Sequence, residues 1–223
     1  MNTTSWSRIA RRHPSAFLLG LQLLSLMLYP LFDGLPSGRL VFGAFGAAVL
    51  VLAVWVVNRS PAVNWVGWSL AVPAFLSAVA AAVFDSPMLL VISSLLEALL
   101  YFYTAGALIL YMMGDNRVTA DELFAAGATF TLLAWGFAYL FVVCQAWYPG
   151  SFTGAVNPGE PRTWLELLFL SFTNLAAVGL GDVLPLGSAA RVLVMLEQFA
   201  GVGYIAVVVS RLIGLTIVKQ GKE

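Results

Sequence analysis

Thr163-Trp164-Leu165-Glu166-Leu167-Leu168-Phe169-Leu170-Ser171-Phe172-Thr173-Asn174-Leu175-Ala176-Ala177-Val178-Gly179-Leu180-Gly181-Asp182-Val183-Leu184-Pro185 is the stretch that decides the fold. It opens on Thr-x-x-Glu, a capping box in which the threonine hydroxyl takes a backbone N–H and the glutamate reaches back to another. The apolar run Leu167 to Phe172 follows, so the pattern predicts a helix of about eleven residues ending near Asn174. At about 1.5 Å per residue that helix covers roughly half of a ~30 Å hydrocarbon core, as a half-helix dipping in from one side would. Behind it, Gly179 and Gly181 permit backbone angles that L-residues avoid, so successive carbonyls can turn one way. Irregular backbone at membrane depth is tolerated only where it is buried in protein or lines a water-filled cavity. The C-terminal end of the half-helix adds partial negative charge at that point. Carbonyl rings can replace a cation's hydration shell. Physics alone therefore points to a cation pathway built from backbone oxygens.

The remainder of the chain puts this segment in a bilayer. Of 223 residues, 61% are hydrophobic and only 10% charged, with a mean hydropathy of +0.91, whereas a soluble domain is about a quarter charged. Eleven Lys and Arg balance eleven Asp and Glu, which removes a global basic field for nucleic acid. A single cysteine, Cys144, excludes an internal disulfide and a cysteine-based metal cluster, and a single histidine, His13, excludes a multi-histidine site. No cofactor is expected, and no metal beyond a permeant ion.

Six apolar runs predict six membrane helices: Ala16 to Phe32, Leu40 to Val57, Val63 to Phe84, Met88 to Met113, Leu123 to Trp147 and Ser188 to Val218. The fifth starts behind Thr119-Ala120-Asp121-Glu122, a second capping box. The expected fold is an all-α membrane protein with a re-entrant helix and filter between helices five and six. Its expected parts are a cytoplasmic tail (1–15), a four-helix membrane domain (16–118), a pore domain (119–218) and a short tail (219–223). Basic residues orient it. With the N-terminus in the cytoplasm, Arg8, Arg11, Arg12, Arg59, Arg117, Arg211, Lys219 and Lys222 lie inside, and Arg39, Arg162 and Arg191 outside. Both termini are expected in the cytoplasm. Trp65, Trp68, Trp147 and Trp164 fall near predicted helix ends, where an interfacial belt explains them.

The stretch Ser171 to Asp182 resembles the pore loop of potassium channels, whose filter reads Thr-Val-Gly-Tyr-Gly-Asp. Pro185, Arg191 and Gly201 follow Asp182 by three, nine and nineteen residues, spacings common in those pores. The resemblance covers about residues 120–215. It implies that carbonyls of Ala177, Val178, Gly179 and Leu180, with Gly181, line a filter. It places Asp182 at the outer mouth, hydrogen-bonded behind the filter, and makes Gly201 a hinge of the inner helix, with Gly203 beside it. One loop per chain implies a homotetramer around one axis, passing potassium passively. The compact design resembles channels of a prokaryotic inner membrane. Two positions depart from the family: Ala177 stands in place of threonine, removing four hydroxyls from the tetramer, and Leu180 in place of an aromatic residue that braces the filter.

The first four helices resemble a voltage sensor in number only. The fourth carries no Arg or Lys between Met88 and Met113, and a voltage sensor needs several charges in the field. Gating is expected from the filter, the inner helices, lipid, pH or an unlinked regulatory subunit. Glu97 and Glu197 lie inside apolar runs, where an ionised carboxylate is costly. Each reads either as a proton-sensitive group or as a hydrogen-bonded strut between helices, with Ser93, Thr104 or Gln198 as partner. Gly201 and Gly203 read equally as a hinge or as close-packing positions. Two other functions compete with a conducting channel. A weakly selective or non-conducting homologue, serving as an accessory subunit, accommodates Ala177 and Leu180. An intramembrane aspartyl protease would use Gly179-Leu180-Gly181-Asp182, but it needs a second interior carboxylate. Glu97 is the one candidate, so no enzyme is expected.

Overall fold

A computed structural model of the chain describes residues 13–32, 46, 48–49, 51–55, 64–84, 86–114 and 119–214. In chain order the elements are α1 (Pro14–Phe32), α2 (Asn64–Phe84), α3 (Pro87–Met112), α4 (Ala120–Trp147), β1 (Phe152–Gly154), α5 (Trp164–Leu175), β2 (Val183–Pro185) and α6 (Ser188–Tyr204). A π-helical turn, Ile205–Val209, prolongs α6, and residues 210–214 are α-helical again. Among the described residues four stretches are long and apolar enough to cross a bilayer: Pro14–Leu31, Pro87–Met112, Ala120–Trp147 and Ser188–Gly214. In α2 the apolar part, Trp65–Ala81, is shorter. The predicted span at 40–57 lies largely outside the described residues, of which 46, 48, 49 and 51–55 are helical. One feature departs from a purely helical fold. Strands β1 and β2 form an antiparallel ribbon in which Phe152 faces Pro185 and Gly154 faces Val183.

Both predicted capping boxes form. Thr119 Oγ1 accepts the Glu122 N–H at 3.3 Å and Glu122 Oε2 accepts the Thr119 N–H at 3.2 Å. Thr163 and Glu166 repeat the exchange at 3.3 and 2.6 Å. These bonds satisfy first-turn N–H groups that a helix leaves unpaired. At α3 the start is Ser86 followed by Pro87, whose missing N–H costs nothing at that position.

Helix α4 is the hub, packed against α1, α3, α5 and α6, while α2 lies on α3. Its burial reflects this: Ala128, Leu132, Trp135, Ala138 and Phe141 are all inside. Lipid tails are as apolar as leucine, so close packing and buried polar contacts join such helices. Glycines on α4 serve the packing. A Cβ at Gly127 would lie 2.9 Å from Leu19 of α1, and one at Gly136 would lie 3.1 Å from the Phe102 ring of α3.

Polar ties supplement this packing. Ser15, in the first turn of α1, donates its N–H and its hydroxyl to the two carboxylate oxygens of Asp121 at 3.1 and 3.0 Å. The Tyr204 hydroxyl donates to the Ala126 carbonyl at 2.6 Å, joining α6 to α4. Arg211 donates to the carbonyls of Met112 and Met113, at the end of α3. Trp164 is partly buried among other aromatic rings. It meets Trp135 edge-on at 5.6 Å, Tyr139 at 5.9 Å and Tyr29 in a stack at 6.0 Å, so it anchors the start of α5 to α4 and α1. Trp65, Trp68 and Trp147 are exposed.

Candidate functional site

The twelve residues of α5 give a helix about 18 Å long, short of a bilayer core. Its start is held by a cage. Arg162, only 6% exposed, donates to the carbonyls of Val156, Asn157 and Glu160 and to the Glu166 carboxylate at 3.2 Å. Gln145 of α4 grips the Arg162 backbone twice, donating to its carbonyl at 3.0 Å and accepting its N–H at 2.7 Å. Gly154 lies under the guanidinium, where a Cβ would stand 2.2 Å from Nη1. In the sequence Arg162 reads only as an outer-side charge. Its spacing of four from Glu166, just ahead of the cap, was the available signal.

The other end of α5 closes in a Schellman motif. The Ala177 N–H donates to the Asn174 carbonyl at 3.0 Å and the Val178 N–H to the Thr173 carbonyl at 2.9 Å. The Gly179 N–H joins the same Thr173 oxygen at 3.0 Å. Glycine usually fills the left-handed position of this motif, yet here Ala177 takes it at φ 56°. Gly179 is left-handed as well, at φ 69°.

These bonds settle where the carbonyls go. In a trans peptide the C=O points opposite the following N–H. Three consecutive N–H groups turn back onto the helix end, so the carbonyls of Ala176, Ala177 and Val178 face away from it. Residues 177–182 are exposed in the single chain, Val178 at 61% and Leu180 at 64%. A row of three oxygens thus stands at the negative end of a helix, a place where a cation is stabilised.

Beyond the row, the Asp182 carbonyl accepts the Ala155 N–H at 2.8 Å, and the β1–β2 ribbon carries the chain on to α6. The Asp182 side chain is exposed, and among the described residues its carboxylate has no hydrogen-bond partner. The bracing expected from the resemblance is not made within one chain.

Behind the row α6 grips α5. Glu197 is fully buried and meets the Ser171 hydroxyl, which also lies 2.7 Å from the Ala134 carbonyl of α4. Next to it, Gln198 Nε2 donates to Asn174 Oδ1 at 2.9 Å, and Asn174 in turn donates to the Leu170 carbonyl at 2.8 Å. Glu197 therefore faces α5 at Ser171, not Ser93, Thr104 or Gln198. Glu97 lies apart from it, on α3, buried and hydrogen-bonded to Tyr139 of α4. Gly201 and Gly203 differ. A Cβ on Gly201 would lie 2.0 Å from the Leu175 carbonyl oxygen, while Gly203 has nothing within 4 Å. The π-helical turn begins two residues after Gly203.

A sequence-family model described as "Ion channel" matches residues 98–217, from the middle of α3 through α6 and beyond. No curated protein and no solved structure matches the chain.

Proposed function

The chain belongs to the ion channel family, and on that premise we propose that it is the subunit of a homotetrameric cation channel passing potassium passively through backbone carbonyls. The observation that carries the reading is the helix end just described. The N–H groups of Ala177, Val178 and Gly179 all return to carbonyls of α5, which leaves the oxygens on the opposite side free for an ion. Such oxygens do what a hydration shell does, and the helix dipole adds a further attraction for positive charge. The filter in this reading is Ala177-Val178-Gly179-Leu180-Gly181, with Asp182 drawing cations to its outer mouth. Four copies are required because one loop supplies oxygens on one side of an ion only.

In this proposal six helices cross a prokaryotic inner membrane with both termini inside. Residues 119–218 form the pore, and residues 16–118 a peripheral domain without an S4-type sensor. The permeant ion is the only ligand the chemistry calls for, and an unlinked subunit supplies any regulation that the helices do not. A weakly selective or silent homologue is favoured by one observation: Leu180 is 64% exposed and lacks the hydroxyl or ring that would brace a filter from behind. The test is the reversal potential of purified protein in a planar bilayer, with potassium on one side and sodium on the other. A value near the potassium Nernst limit supports a selective carbonyl filter. A value near zero with clear single-channel steps replaces it with a non-selective pore. Silence at every voltage and pH moves the accessory-subunit reading to the front.

A further inference from the structure

Glu197 sits in a place where hydrogens can be counted. The Ser171 hydroxyl is hydrogen-bonded to two oxygens, the Ala134 backbone carbonyl at 2.7 Å and Glu197 Oε1. Each of these two bonds needs a hydrogen between its oxygens. A serine hydroxyl carries one, and a backbone carbonyl carries none. The second hydrogen has to come from the carboxyl group. The other carboxyl oxygen agrees with this count. Oε2 is buried with no hydrogen-bond partner, a modest penalty for the carbonyl of a neutral acid but a prohibitive one for half of an ionised carboxylate.

No cation compensates. Of the charged and titratable side chains on the packed elements, Glu166 of α5 pairs with Arg162, and Asp121 and Glu122 of α4 are engaged at its far end. Tyr139 of α4 is bonded to Glu97, and Cys144 lies towards Ser151. On α6 itself, Arg191 donates to the Pro185 carbonyl, Tyr204 to Ala126 and Arg211 to Met112. Among the described residues none of these groups faces Glu197.

We propose that Glu197 is a neutral carboxylic acid that donates its proton to Ser171 Oγ, and that this donor–acceptor chain, Glu197 to Ser171 to the Ala134 carbonyl, is a positioning device for the helix that carries the filter. It ties α6, α5 and α4 at one point, one turn before the Schellman closure. Gln198 and Asn174 make the parallel tie one turn further along α5. Because Glu197 is fully buried within one chain, the device is complete before any assembly. The consequence for conduction rests on the channel reading above, whereas the protonation state does not.

The test is infrared spectroscopy of the full chain in detergent at neutral pH, comparing wild type with Glu197→Gln and Ser171→Ala. The wild-type minus Glu197→Gln spectrum is expected to contain a protonated-carboxyl stretch and no carboxylate stretches. Carboxylate stretches in that difference would overturn the proposal. Ser171→Ala leaves the acid in place without its acceptor, so its carbonyl stretch is expected to rise, and an unmoved stretch would equally overturn it. Glutamine keeps the shape and offers an N–H to Ser171, so Glu197→Gln is expected to hold the wild-type reversal potential while Glu197→Ala moves it towards zero. Equal shifts in both variants would refute the positioning role. A chain that shows the acid stretch yet passes no current moves the function to the accessory-subunit reading and leaves the protonation state standing, and a selective pore with carboxylate stretches refutes this proposal alone.

Discussion

Gly201→Ala tests the packing of α6 on the end of α5 most directly. The added Cβ would start 2.0 Å from the Leu175 carbonyl oxygen and 2.8 Å from its carbon, both backbone atoms of α5. Ordinary contact is roughly 3.5 Å, so α6 and α5 must separate by about 1.5 Å, and no side-chain rotation relieves the clash. Overpacking of this kind costs about 1–3 kcal/mol, and a backbone obstacle belongs at the upper end. Alanine returns about 1 kcal/mol in helix propensity, leaving a net loss of about 2 kcal/mol per chain. Gly203→Ala is the internal control. Nothing lies within 4 Å of its Cβ, so the propensity gain of about 1 kcal/mol stands alone. Thermal unfolding of the purified protein reads both. For a chain of this size, roughly 2–4 °C per kcal/mol puts Gly201→Ala some 4–8 °C below wild type and Gly203→Ala about 2–4 °C above. A Gly201→Ala protein as stable as wild type, or a Gly203→Ala protein that is the weaker of the two, would refute the packing argument and return both glycines to the role of a hinge.

Perturbations at three further positions have defined outcomes. Ala177→Gly removes the left-handed strain of a residue at φ 56° and is expected to raise the thermal midpoint by a few degrees, worth up to about 1 kcal/mol. Ala177→Thr places a β-branched residue in a conformation such residues avoid, and is expected to lose about 1–2 kcal/mol in the same assay. Gly154→Ala drives a Cβ into the Arg162 guanidinium and breaks charge-assisted bonds to three carbonyls, so limited proteolysis between residues 148 and 162 should become several-fold faster, for a loss of about 3 kcal/mol. Thr163→Ala removes half of a capping box and should cost about 1 kcal/mol in chemical denaturation, with Thr163→Ser restoring most of it.

What the sequence disclosed was what lies close along the chain. The capping boxes at Thr119 and Thr163 each involve residues three apart, and the half-length helix follows from a short apolar run between a cap and two glycines. The partner of Glu197 was hidden because Ser171 is twenty-six positions away and on another helix, and an apolar run gives no hint of which face meets which. Arg162 misled for a related reason. A basic residue in a polar loop reads as solvated, and only the folded loop turns three carbonyls inward around it. The closure at Ala177 left no trace because alanine is not the residue that announces a left-handed turn. Restoring the family's threonine there, a natural way to probe selectivity, also changes the backbone preference at that point. Any change in ion preference must therefore be compared with Ala177→Ser, which adds a hydroxyl without the branch.

The tie between Ser15 and Asp121 bears on how the chain is made. The polar start of α1 emerges from the ribosome 106 residues ahead of the carboxylate that satisfies it. Until α4 is inserted, the first helix has neither its cap nor the Gly127 groove that receives Leu19. It therefore enters the membrane as a provisional element, and its final docking waits for the helix on which most of the molecule is assembled. A defect at Asp121 would therefore be felt as misdocking of residues translated long before it.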